Sequence, residues 1–303
     1  MTPDPQPAEP AALERIHPDT HVGAVRLRVA DLDHVTEFYE RAIGLGTLGR
    51  SGDLVALGAG EDASAVELVG APDAPPRPPR TTGLFHLAIL VPDRRELARA
   101  LHRVADVGWR LSGASDHIVS EALYLADPEG NGIEIYRDRP REEWRRTDGQ
   151  IEMATLPLDL ESVLGELDGA ETEPGPIADG TRIGHVHLNV ADLDAAEAFY
   201  VGVLGFDVTV RGYPGALFVS AGGYHHHIGL NTWAGEGAPA PPPGSRGLDR
   251  FELVLPDDEA LAAVERRLDA AGVDVRREAA GIGVVDPSGN GLLLRTAGGT
   301  LIG

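Results

Sequence analysis

Four segments of the chain pass from a period of two in their apolar residues to a period near 3.6. They are LRVADLDHVTEFYERAIGLG (Leu27 to Gly46), LAILVPDRRELARALHRVADVG (Leu87 to Gly108), LNVADLDAAEAFYVGVLGFD (Leu188 to Asp207) and FELVLPDDEALAAVERRLDAAG (Phe251 to Gly272). Each predicts a strand, an Asp that caps a helix, an amphipathic helix with apolar residues at spacing three and four, and a Gly stop. The first and third share VADLD and a following FY. A second repeat closes the units: DPEGNGIEIYR (Asp127 to Arg137) and DPSGNGLLLRT (Asp286 to Thr296) each predict a turn running into a strand.

The repeated unit reads as strand–helix–strand–strand–strand, so the expected fold class is α+β, with four βαβββ modules whose first strands carry Ala24, His86, His185 and Arg250. Stiff Pro-rich connectors, Gly70 to Arg80 and Gly235 to Gly247, join modules one to two and three to four. The expected organisation is a disordered tail over 1–19, modules one and two over 20–140, a linker over 141–180, and modules three and four over 181–303. Within the linker, LDLESVLGELD (Leu158 to Asp168) predicts a short helix.

Composition narrows the chemistry. The 303 residues hold 26 Lys+Arg against 48 Asp+Glu, a net charge of −22, which repels nucleic acid and anionic membrane surfaces. There is no cysteine, so any metal must take His, carboxylate or carbonyl ligands. No run of about 18 apolar residues is present, and the N-terminus lacks the basic and apolar regions of a signal peptide. A cytoplasmic location is expected.

Three features carry candidate chemistry. His86 and His185 occupy one matching place on the first strands of modules two and three, and His187 shares the face of His185. Glu134 stands between Ile133 and Ile135, where a buried carboxylate needs a cation. In GGYHHHIGLNTW (Gly222 to Trp233), strand alternation sends His225 and His227 to one face and His226 to the other. Two histidines and one carboxylate are the set that holds a redox-active Fe(II) with coordination sites left open.

Over nearly its whole length the chain resembles the vicinal oxygen chelate superfamily, which includes glyoxalases, epimerases, antibiotic-resistance proteins and ring-cleaving dioxygenases. Paired βαβββ modules forming incomplete barrel-like sheets are implied, with metal ligands on first and last strands. Within the superfamily the chain looks most like extradiol dioxygenases of the catechol 2,3-dioxygenase type. These keep a tyrosine ten residues before the carboxylate ligand, matching Tyr124 and Glu134, and a His–His pair at the start of the third module's last strand, matching His226–His227.

The resemblance therefore implies Fe(II), with Mn(II) fitting the same set, held by His86, His185 and Glu134. It implies catalytic roles for His227 (acid–base), Tyr124 and His117. The implied reaction is extradiol cleavage of a small aromatic diol by O2 to a hydroxymuconic semialdehyde-type product, in a chain open to homo-oligomerisation. Asn189, Asn231 and Trp233 are further candidate pocket residues.

Module four departs from the pattern, with Arg250 and Leu293 where ligands belong. The implied pairing is therefore module two with three and one with four. The conventional pairing, one with two, would bring Glu67 to His86 instead. A glyoxalase- or epimerase-like isomerase or lyase, with a second carboxylate as base, and a metal-free protein that sequesters an aromatic or antibiotic ligand stay open as alternatives.

Overall fold

A computed structural model of the chain describes residues 14–60, 64–167 and 175–297. All four modules fold as strand–helix–strand–strand–strand. The first is β1 (His21–Val29), α1 (Leu32–Phe38), β2 (Gly46–Ser51), β3 (Leu54–Gly58) and β4 (Ser64–Gly70). The second is β5 (Gly83–Leu90), α2 (Arg94–Asp106), β6 (Gly113–Asp116), β7 (Ser120–Ala126) and β8 (Gly132–Asp138).

The linker holds three two-residue strands, β9 (Arg146–Thr147), β10 (Gln150–Ile151) and β11 (Leu156–Pro157), and the short helix α3 (Leu160–Leu164). The third module follows as β12 (Arg182–Asn189), α4 (Leu193–Glu197), β13 (Asp207–Val210), β14 (Ala216–Ser220) and β15 (Ile228–Asn231). The fourth is β16 (Gly247–Leu255), α5 (Asp258–Ala270), β17 (Arg276–Glu278), β18 (Gly281–Val285) and β19 (Gly291–Thr296).

The helices start where the side chains dictate. Asp31, Asp93, Asp192 and Asp257 each accept a backbone N–H three residues on, satisfying a donor that the first helical turn leaves orphaned. The two Asp-Pro turns are also held by their aspartates. Asp127 Oδ1 accepts the amides of Glu129 and Asn131, and Asp286 Oδ1 those of Ser288 and Asn290.

The modules pair across the halves of the chain. One sheet runs β11-β6-β7-β8-β5-β12-β15-β14-β13 and joins modules two and three; the other runs β17-β18-β19-β16-β1-β4-β3-β2 and joins four and one. Each seam is an antiparallel pair of first strands, β5 with β12 and β1 with β16. Within a module the first and last strands are parallel. On one face of β5, Leu87 and Ile89 join Leu97, Ala98 and Leu101 of α2 in the main core. Burying each such aliphatic side chain stabilises the fold by about 1.5–3 kcal/mol. The opposite face, carrying His86 and Ala88, curves around a cavity.

Two expectations need correction or limit. Of the tail, residues 1–13 lie outside the described residues, but residues 14–19 are not disordered. Ile16 is buried and its N–H bonds the carbonyl of Gly205 at 2.9 Å. The linker helix spans five residues rather than the whole predicted segment, and Asp168 lies outside the described residues.

Candidate metal centre and its cavity

Sheet register builds the site. Tyr124 and Glu134 are directly opposed across the β7–β8 hairpin, whose turn is Asp127–Asn131. Their ten-residue spacing is thus the spacing of a cross-strand pair about that turn. Glu134 is next to Ala88 on β5, and Ala88 is opposite His185 on β12, so one row crosses four strands. His86, two residues from Ala88 and on the same face, is opposite His187.

Glu134 Oε2 is 3.0 Å from His86 Nε2 and 3.3 Å from His185 Nε2. A ligand atom from each of these three buried residues lies within 4.8 Å of the others. Burial alone would push the Glu134 carboxyl up, but the neighbouring His185 and His86 imidazoles outweigh it and hold the group well below the usual carboxylate range. Burial pushes His185 down to about 4 against the pull of Glu134.

His86 Nε2 is enclosed and makes no directed hydrogen bond, despite its distance from Glu134. A buried carboxylate facing two imidazoles, with His86 Nε2 spent on no protein partner, is a donor set that fits one divalent cation.

The cavity around these residues has a volume of about 480 Å³. Aromatic side chains, Phe85, Tyr213, Phe218 and Trp233, form one wall. At its mouth Phe85 and Trp233 stay 41% and 46% exposed with ring centroids 5.1 Å apart. His187 also lines the cavity; burial, then the nearby His86, pushes it well below an ordinary histidine. Its ring fits because Gly229, beside it in register, carries no Cβ; one there would sit 2.9 Å from the imidazole.

Tyr124 and His117 meet in the cavity, with Tyr124 Oη 2.6 Å from His117 Nε2. His117 Nδ1 lies 2.7 Å from the carbonyl of Ala154, which can only accept, so the proton of the neutral ring is on Nδ1 and Tyr124 donates to Nε2. Burial and the Glu134 charge push the Tyr124 phenol well up, which keeps it a donor.

The His227 ring, expected in the site, points away from this cavity. His227 lines a second cavity with His21, Arg141 and Gly184, and its Nδ1 accepts the Ala221 amide at 3.2 Å. His226 lines the site instead, its ring centroid 4.1 Å from that of His185. Strand alternation does not reach these residues, because β15 begins only at Ile228. The preceding Gly222 and Gly223 both have positive φ, a turn the paired glycines could have announced. Burial, then the His185 imidazole, pushes His226 well below an ordinary histidine, so it is neutral at neutral pH.

Of the other candidates, Trp233 lines the cavity, whereas Asn189 and Asn231 are buried and do not. Glu67 lies in the other sheet, ion-paired to Arg26 at 2.7 Å. There Arg295 pairs likewise with Glu252 at 2.9 Å. Arginine thus answers the buried carboxylates of that sheet.

The linker contributes more than length. Met153, Ala154 and Thr155 line the cavity as a strap, anchored at one side by His117 and at the other by Thr155 Oγ1 to Tyr213 Oη at 2.8 Å. Nothing in the composition of that segment announces this role.

The model of the Glyoxalase/Bleomycin resistance protein/Dioxygenase superfamily matches residues 21–135 and 182–293. The chain belongs to this superfamily. It is 45% identical over 279 residues, 91% of this chain and 96% of the relative, to a catechol-2,3-dioxygenase of Bacillus subtilis (strain 168). Similarity to a biphenyl-2,3-diol 1,2-dioxygenase 3 of Rhodococcus globerulus is 29% over 114 residues, 37% of this chain and 60% of that protein.

Among solved structures, a putative dioxygenase from Bacillus subtilis matches with a TM-score of 0.63 at 14% identity, covering 94% of this chain and 87% of that one. Glyoxalase I from Zea mays matches with a TM-score of 0.56 at 18% identity, covering 91% and 92%. At these identities the structural matches speak for the superfamily fold alone.

Proposed function

We propose that this protein is an extradiol dioxygenase of the catechol 2,3-dioxygenase type. It opens the ring of a catechol-type diol with O2 at a mononuclear non-haem Fe(II) held by His86, His185 and Glu134. The observation that supports this reading best is the convergence of those residues with His226 and Tyr124 on one cavity, in a chain so similar to a catechol-2,3-dioxygenase. Both oxygen atoms of O2 end in the product, a hydroxymuconic semialdehyde-type compound, so no external reductant is consumed.

A bound Fe(II) supplies the positive charge that acidifies the diol and a route for electrons between diol and O2. The chain's own residues do the rest. Phe85, Phe218 and Trp233 take the aromatic ring and exclude water. Neutral His226 accepts a hydroxyl proton of the diol and returns it as the ring opens, the behaviour of a general base and then acid. The single Tyr124 proton, given to His117 Nε2 before the diol binds, turns on diol binding to the oxygen that keeps its charge.

Glu134 is the one carboxylate among the described residues that line the cavity. This weighs against the isomerase alternative, which needs a second carboxylate as base. The test is anaerobic reconstitution with Fe(II), or in parallel Mn(II), followed by catechol and O2. A yellow ring-opened product is expected. Bound metal with no ring opening of catechol or simple substituted catechols would overturn the proposal.

A further inference from the structure

Behind His226 lies a hydrogen-bonded chain that the reaction as described does not use. His225 Nδ1 and His226 Nδ1 are 2.7 Å apart, and His225 Nε2 is 2.9 Å from Asp138 Oδ1. Asp138 ends β8, the strand that carries Glu134. Its other oxygen accepts the Tyr224 hydroxyl at 2.9 Å, and Tyr224 Oη is 2.7 Å from Tyr136 Oη. His225 is fully buried, and its ring is stacked within 4.1 Å of the Tyr224 centroid.

We propose that Asp138 and His225 are positioning residues that hold His226 in the tautomer whose Nε2 is bare. With one proton on each ring, the network has a single solution. A carboxylate only accepts, so the His225 proton is on Nε2. His225 Nδ1 is then a lone pair and can only accept, so His226 must place its proton on Nδ1. That leaves His226 Nε2, on the other side of a ring that lines the cavity, as an acceptor facing the substrate. The reverse tautomer of His226 would need a second proton on His225. A carboxylate that fixes an imidazole tautomer through its far nitrogen is the arrangement whose disruption disables hydrolytic triads without moving them.

This inference rests on His226 being the proton-handling residue of the proposed reaction, but its first test does not involve that reaction. Imidazole 15N shifts separate bare from protonated ring nitrogens. They can be read in the full-length chain labelled at histidine and loaded with Zn(II), a diamagnetic ion that His and carboxylate ligands accept, with His226 assigned by difference against H226N. Wild type should show His226 protonated at Nδ1 and bare at Nε2.

In Asp138→Asn the carboxamide keeps its carbonyl for Tyr224 and offers N–H to His225, which reverses the chain and protonates His226 Nε2. With Fe(II), that variant should lose kcat on the order of 10²-fold with KM changed only a few-fold. Tyr224→Phe, which keeps the ring and the Asp138–His225 contact, should retain both tautomer and kcat within a few-fold. A wild-type His226 protonated at Nε2 overturns the inference, as does an Asp138→Asn protein whose His226 tautomer is unchanged. If the tautomers behave as expected while wild type opens no diol, the positioning network stands and the dioxygenase reading falls.

Discussion

Glu134 and His185 are 51 residues apart in sequence, in different halves of the chain, yet Glu134 Oε2 and His185 Nε2 lie 3.3 Å from each other across the β5–β12 seam. That distance exists only because module two pairs with module three. Glu134→Ala and His185→Ala should each lower metal affinity by at least 10²-fold, read by calorimetric titration or by metal content after dialysis. Glu67→Ala should retain wild-type affinity, since Glu67 sits in the other sheet against Arg26. Loss of metal in the Glu67 variant with retention in His185→Ala would contradict the site.

The two adjacent histidines should separate kinetically. His226→Asn is expected to lower kcat for ring opening by about 10²- to 10⁴-fold, the range for loss of a general acid–base group. His227→Asn should stay within a few-fold, because its ring is held by Ala221 and Ser220 away from the site. Initial rates of yellow product formation measure both.

Acid should weaken the fold through its buried imidazoles. Burial lowers His185 from 6.5 to about 4, and burial with the His225 imidazole lowers His227 to about 3. In the unfolded chain these rings take protons near pH 6.5, whereas the folded protein refuses them until much lower pH. The unfolded state then binds more protons, so stability falls as pH drops from about 6.5 toward 4 and 3, and these groups add no slope above that window. Urea unfolding of the metal-free protein should show this decline. His227→Gln should make it shallower by up to about 1.4 kcal/mol per pH unit between pH 6 and 4.

The second sheet predicts a purely structural defect. Glu252 is buried, accepting from Arg295 Nε at 2.9 Å and from the Ala24 amide at 3.1 Å. Glu252→Ala leaves an uncompensated buried guanidinium and should cost about 3–5 kcal/mol of stability. Metal affinity should not change, because Arg295 and Glu252 touch nothing in the cavity. Urea midpoints and metal titration of the same preparation check the two halves of the prediction.

Much of this was legible from residue patterns, for physical reasons. The βαβββ units show because strand and helix impose different periods, and the Asp caps and Asp-Pro turns mark their ends. Tyr124 and Glu134 show because a hairpin converts a fixed spacing into a contact. The crossed pairing followed from Arg250 and Leu293, which cannot ligate. His227 was named from the resemblance, as the second of a His–His pair, but after the Gly222–Gly223 turn it is the His226 ring that lines the cavity. The strap of Met153 to Thr155 and the reach of Asp138 to His225 were invisible. Both depend on where a chain segment lands after long-range pairing, which no local period encodes.

The seams also bear on how the chain folds as it is made. Strand β5 has no partner on one side until Arg182–Asn189 exists, and His21 of β1 waits for Val254. Loop closure over such separations is slow, and unpaired strand edges recruit other chains in the meantime. The nascent first half is therefore the species most exposed to aggregation during synthesis. Expressed as a fragment, it would keep both edges open permanently.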